Sequence, residues 1–152
     1  MLKTASNERG FSLSELLVVV GLIMVLSVVA VPSVLTYWRT SSLTAGAEQL
    51  AGVMNRARQL AISTNNSVCV QVTGSNVRLR TVSCAGTIWT GIGTDSTGVI
   101  QIANSLQVSG GTSAIFTNIG GASTTATYTL TDPKTGRTRS VVVAATGRVT
   151  IQ

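Results

Sequence analysis

The side chains that do chemistry in proteins are scarce in this sequence. It has no histidine, two cysteines (Cys69 and Cys84) and five acids: Glu8, Glu15, Glu48, Asp95 and Asp132. A His-based catalytic triad and a Cys/His zinc site are therefore excluded, and five scattered carboxylates do not make a dense calcium cage. The cysteines lack the CxxC spacing of a redox pair. Lys134 lies in Thr131-Asp132-Pro133-Lys134-Thr135-Gly136, where Asp-Pro and Gly are turn chemistry, so a Ser-Lys dyad has no support. Gly91-Ile92-Gly93 and Gly110-Gly111 lack the strand-to-helix context of a phosphate-binding loop. The expectation is a protein that is not an enzyme and has no metal and no cofactor.

One carboxylate stands out by its position. Residues 16–31 (LLVVVGLIMVLSVVAV) form a run of sixteen without a charge, and extending it back to Phe11 gives 21 residues interrupted only by Glu15. A membrane helix needs about 20 apolar residues and a secretory signal core about 7 to 15, so by length the shorter run stands between the two. An acid well inside a membrane helix costs roughly 2.5 to 3.5 kcal/mol, less near an end, and calls for a cationic partner. A plainer role is also open: Ser12 and Glu15 have the spacing of a helix capping box. Upstream, MLKTASNERG is a short polar leader carrying Lys3 and Arg9 against Glu8.

The order of these features, Gly10-Phe11-Ser12-Leu13-Ser14-Glu15 followed by Leu16-Leu17-Val18-Val19-Val20, resembles the class III leader of type IV pilins and pseudopilins. The resemblance implies cleavage between Gly10 and Phe11 by a prepilin peptidase, N-methylation of Phe11, and a processed chain of 142 residues. Glu15 becomes the fifth residue of that chain and pairs with the N-terminal amine of a neighbouring subunit, an apt cation at the same depth in lipid. A rival signal lies at Val28-Val29-Ala30, whose small and β-branched residues suit an ordinary signal peptidase. Cleavage near Ala30 releases a soluble secreted binding domain, and a mature chain starting at Val31 or at Phe11 separates the two readings.

Beyond the apolar run the pattern turns amphipathic. Leu43, Ala47, Leu50, Met54, Ala57 and Ala61 recur at spacings of 4, 3, 4, 3 and 4, while Glu48, Asn55, Arg56, Arg58 and Gln59 fall off that stripe. A helix over about 11–63, kinked at Pro32, spans roughly 80 Å at 1.5 Å per residue. Gly46 and Gly52 weaken it by about 1 kcal/mol each, so the stripe needs packing onto something. From position 67 the period switches to two. Val68, Val70 and Val72, then Val77 and Leu79 after a turn at Gly74-Ser75-Asn76, predict a hairpin with one buried and one wet face. Further strands are expected over 99–102, 113–119, 124–131, 140–145 and 148–151. The fold class is α+β: a long N-terminal helix, hydrophobic then amphipathic, packed on a C-terminal antiparallel β-sheet domain of one or two sheets. The expected segments are 1–10 (leader), 11–31 (transmembrane or filament core), 32–63 (amphipathic continuation) and 64–152 (β-rich head).

In an exported head, Cys69 and Cys84 at the two ends of the hairpin are expected to form a disulfide worth about 3 kcal/mol; two separate buried thiols are the alternative. Beyond Gly10 the chain keeps nine Lys or Arg against four acids. Eight of the basic residues fall into three clusters: Arg56 with Arg58, Arg78 with Arg80, and Lys134 with Arg137, Arg139 and Arg148. Such arginines either neutralise phosphates or simply solvate the wet face of a sheet. The long helix, the short strands and the ending Val141-Val142-Val143-Ala144-Ala145-Thr146-Gly147-Arg148-Val149 are similar to the GspH/FimT subgroup of pilin-like proteins, which holds the type II secretion pseudopilin H and FimT- and FimU-type minor pilins. That resemblance implies a pilin-like fold and a filament subunit with a single pass through the bacterial inner membrane and a periplasmic head. Its partners are other pilins or pseudopilins through the N-terminal helix, the peptidase and an inner-membrane assembly platform. It also implies an alternative, DNA binding for uptake in transformation. Some members bind DNA through Gly-Arg-x-Arg, a form that Gly136-Arg137-Thr138-Arg139 has and Gly147-Arg148-Val149-Thr150 lacks. Trp89 in a Gly-rich loop offers no evident stacking platform, and Tyr37 and Trp38 are placed to mark a membrane interface.

Overall fold

A computed structural model of the chain describes residues 11–102 and 106–152, without the side chains of Val29 and Pro32. The chain divides into two compact units, Met1–Trp38 and Arg39–Gln152. One helix, α1 (Leu13–Ser63, 51 residues), supplies residues to both.

Within the first unit, α1 begins two residues later than the apolar run because Ser12 caps it. The Leu16 N–H donates to the Ser12 carbonyl at 3.2 Å, and the Ser12 N–H donates to Glu15 Oε2 at 3.1 Å. Glu15 therefore satisfies one orphan donor of the first turn and places its charge at the favourable end of the helix dipole. Every described side chain from position 11 to 35 is exposed, on all sides of the helix. A helix that is hydrophobic all round needs lipid or protein around it. No single helix among the described residues passes for a membrane span alone. Leu13–Val28 and Ser33–Ser63, on either side of the Pro32 region, qualify together as a bent pair.

In the second unit, the predicted stripe is the spine of the core: Leu43, Ala47, Leu50, Met54, Ala57 and Ala61 are all buried. Among the described residues, nine strands form two antiparallel sheets. Sheet A has the order β3 (Val99–Gln101), β2 (Asn76–Thr81), β1 (Val68–Thr73), β5 (Ala114–Phe116), β6 (Ala122–Thr124). Sheet B has the order β4 (Gln107–Ser109), β7 (Ala126–Thr131), β8 (Thr138–Val143), β9 (Val149–Ile151). Val70, Leu79 and Phe116 of sheet A and Tyr128, Leu130, Val141 and Val143 of sheet B join the helical stripe in one core. Tyr128 ties the sheets: its hydroxyl accepts from the Ala114 N–H at 3.0 Å and donates to the Thr112 carbonyl at 3.2 Å. Burial pushes its pKa up, against the Ala114 hydrogen bond.

Several strand expectations change, and the run 140–145 is observed as Thr138–Val143. The run 124–131 holds the whole of β7 but only the last residue of β6, a sheet A strand that the sequence does not announce, because the chain crosses from sheet A to sheet B at Thr125. The run 113–119 shortens to Ala114–Phe116, where pairing with β6 shifts register between Ile115 and Phe116. β4 has three residues, too few to show a period. The hairpin's outer face is also not uniformly wet, since Cys69 is fully buried.

The two helical glycines differ. At Gly46 a Cβ would run into Leu106 Cδ1 and approach Leu130 Cδ2, so the helix is bare there to let the sheet close in. At Gly52, which is exposed, a Cβ would meet nothing within 4 Å. Gly52→Ala is accordingly expected to stabilise the fold by about 0.5 to 1 kcal/mol, read as a higher urea midpoint at unchanged slope. An unchanged or lower midpoint counts against an open helix surface at this position.

Candidate functional site

Two regions carry the residues singled out in the sequence: the start of α1 and the surface of the head. Gly10 lies outside the described residues. Phe11 is 88% exposed and lies four residues before Glu15, just ahead of the helix. Together with Ser14, Val18 and Val19 they line an open groove of about 390 Å³. Glu15 is the sole charged residue between positions 11 and 38. The contact the structure gives its carboxylate is the Ser12 N–H, and no residue from 11 to 38 carries a positive charge.

On the head, the Cys69 and Cys84 sulfurs are bonded, with their Cα atoms 5.1 Å apart. The bridge fastens the segment after β2 across the outer face of β1. Gln71 Nε2 donates to the Cys84 carbonyl at 2.9 Å, Arg80 Nε donates to Gln71 Oε1 at 2.8 Å, and Arg80 Nη1 donates to the Gly86 carbonyl at 2.8 Å. Arg80 is thus a half-buried brace, in contrast to the solvating residue its strand parity implies, and only Arg78 of that pair is exposed. Arg78 lines a polar cleft of about 170 Å³ with Gln71, Thr73 and Asn76.

The first arginine cluster is also partly absorbed. The Arg56 guanidinium lies 5.1 Å from the Trp89 ring centroid, a cation–π contact that holds the Gly-rich loop to the helix. Arg58 is half-buried, and its Nε is the one buried side-chain polar atom without a hydrogen bond among the described residues. It sits beside Gly120 and Gly147.

The third cluster divides. Arg137 Nη1 donates to Thr40 Oγ1 at 2.6 Å, which fixes the β7–β8 turn to the first turn of the head's helix. That turn is organised by Asp132, whose Oδ2 accepts from the Thr135 hydroxyl at 2.7 Å and Oδ1 from the Lys134 N–H at 2.9 Å. These two bonds hold its carboxyl below the ordinary aspartate range; burial opposes them, and the charges of Arg39 and Lys134 add to them. Arg139 pairs with Leu130 in the β7–β8 register and is exposed. Arg148, also exposed, follows Gly147 and so lies at the Arg58 end. Thr40 and Arg58 are 18 helical residues apart, about 27 Å along the axis. Arg137 and Arg139 therefore do not share a site with Arg148. The sequence reading passed over Arg39, whose signal is its place directly after Tyr37 and Trp38.

Residues 5–31 match the prokaryotic N-terminal methylation motif, and residues 46–147 match the family of the type II transport protein GspH. Among solved structures, the type IV minor pilin FimU of Pseudomonas aeruginosa is similar with a TM-score of 0.58 at 20% identity, over 76% of this chain and 92% of that one. The minor pseudopilin EpsH from the Type 2 Secretion System of Vibrio cholerae is similar with a TM-score of 0.57 at 10% identity, over 73% of this chain and 96% of that one. At such identities the likeness is one of fold. The search of curated proteins gave no match.

Proposed function

The chain belongs to the family of the type II transport protein GspH, and from this we propose that it is a minor pilin or minor pseudopilin, a structural subunit of a type IV pilus or type II secretion pseudopilus. The observation that carries the reading is the contrast between the two units. The second buries its own core, while the first offers an exposed apolar helix whose one charge, Glu15, has no cation within residues 11–38. In this reading residues 1–10 are a leader removed by prepilin peptidase after Gly10. Residues 11–31 anchor the subunit in the inner membrane and then pack against other pilins, 32–63 form the spine, and 64–152 are a periplasmic head delivered to an assembly platform. Removal of the leader creates an α-amine on Phe11, four residues before Glu15, and gives the carboxylate its cation within the subunit or on a neighbour. The methylation-motif match over residues 5–31 supports that processing. The work of such a subunit is assembly; no catalytic step is assigned to it.

The test is the mass and N-terminal sequence of the mature protein from a host with an active prepilin peptidase. The expected product begins at Phe11 and carries one additional methyl group, and Gly10→Val is expected to leave the chain at full length and outside filaments. A product beginning at Val31 would overturn the reading in favour of a released domain.

A further inference from the structure

The rim of the head at which the chain enters it carries four cations with no catalytic or core role: Arg39, Lys134, Arg137 and Arg139, all exposed. The Arg137–Thr40 hydrogen bond brings the β7–β8 turn to the first residues of the head's helix, so these cations gather although 95 positions separate Arg39 from Lys134. Asp132, the acid among them, already accepts from Thr135 and Lys134. Among the described residues, none of the four forms an ion pair within 4 Å, whereas Arg56 rests on Trp89 and Arg80 is held by Gln71 and Gly86.

Arg39 follows Trp38 directly in the sequence, eight residues after Val31, the end of the apolar run. Tyr37 and Trp38, both largely exposed, are the residue types that settle at headgroup level. We propose that this rim is a docking surface for anionic phospholipid headgroups, which holds the head against the bilayer before the subunit enters a filament. The inference rests on the membrane-anchored reading above. Duplex DNA is the less favoured ligand, since Arg148, the remaining exposed arginine of the third cluster, stands about 27 Å of helix away from the rim.

The full-length protein reconstituted in phosphatidylcholine vesicles, with or without phosphatidylglycerol, gives the test through amide hydrogen exchange of the β7–β8 turn. The expected result is slowed exchange of that turn with phosphatidylglycerol at low salt, and none with phosphatidylcholine alone. The effect should be lost near about 1 M salt, where the Debye length is about 3 Å. Each cation removed should weaken docking roughly fivefold, hence about 25-fold for Lys134→Ala with Arg139→Ala, two exposed positions that leave the Arg137–Thr40 bond intact. Arg148→Ala should change nothing. Equal exchange in both vesicles, with the protein co-floating, overturns the docking surface and leaves the anchor standing. Failure to co-float with either vesicle overturns the anchor and the docking surface together. Protection of this turn by duplex DNA in phosphatidylcholine vesicles, without protection by phosphatidylglycerol, overturns the lipid assignment in favour of a nucleic-acid surface.

Discussion

Gly147→Ala is expected to destabilise the head by about 3 kcal/mol, the sum of a conformational term and a steric one. Gly147 has φ of +76°, a left-handed conformation that a Cβ disfavours by about 1 to 2 kcal/mol. The added carbon would also overlap the carbonyl oxygen of Gly120, and backbone on backbone has little freedom to move. Gly120 is itself at φ of +83° and bonded through its N–H to the Thr117 carbonyl at 2.9 Å. Ala122 N–H to Ala145 carbonyl, at 2.9 Å, ties the same two turns together. The control is Gly136→Ala. Its φ of +68° carries the same conformational penalty, but nothing lies within 4 Å of the new carbon, so about 1 kcal/mol is expected. Urea unfolding of both variants checks the difference. Equal losses would mean that the two turns separate freely, and that Gly147 is required for its dihedral alone.

The second large effect is loss of the Cys69–Cys84 bridge. With a sequence separation of 15 between the cysteines, the chain-entropy estimate gives about 3 kcal/mol for the double Cys→Ala variant or for reduction. That is a large part of the 5 to 15 kcal/mol typical of a domain. The pattern matters as much as the size. The segment after β2 keeps its hydrogen bonds to Gln71 and Arg80, so it should open locally before the core melts, with exchange rising first at the amides of Trp89 and Gly86. Uniform acceleration through β7 and β8 instead would show that the bridge stabilises the head as a whole and has no special hold on this loop.

What was legible in the sequence was whatever repeats locally. The 4, 3, 4, 3, 4 spacing identified each of the six stripe residues because a helix buries one face and its period survives in the chain. The Gly10-Phe11 junction, Glu15 and the apolar run were legible as an ordered motif. The misses share a cause, which is that they depend on what covers a surface from a distance. Cys69 has the parity of a wet-face residue and is buried by the segment it is bonded to. Arg80 has the parity of Arg78, yet carbonyl and amide oxygens outside its strand take up its donors. Thr125 falls inside the expected strand 124–131, and only the sheet topology makes it a crossing point. Gly136-Arg137 and Gly147-Arg148 look alike as dipeptides, and nothing local says that one lies against Thr40 and the other against Arg58.

The buried stripe on α1 also decides how the head responds to force. From Leu43 to Ala61 its contacts lie in line along 18 residues of one rigid rod, about 27 Å. A pull on the N-terminal segment along that rod loads these contacts in parallel, as shear. Peeling would break them one at a time, whereas sliding the rod requires buried side chains on both sheets to be displaced together. Gly46 strengthens the lock, because Leu106 occupies the space at its Cα and must be forced past the bulkier positions on either side before the helix can advance by a turn.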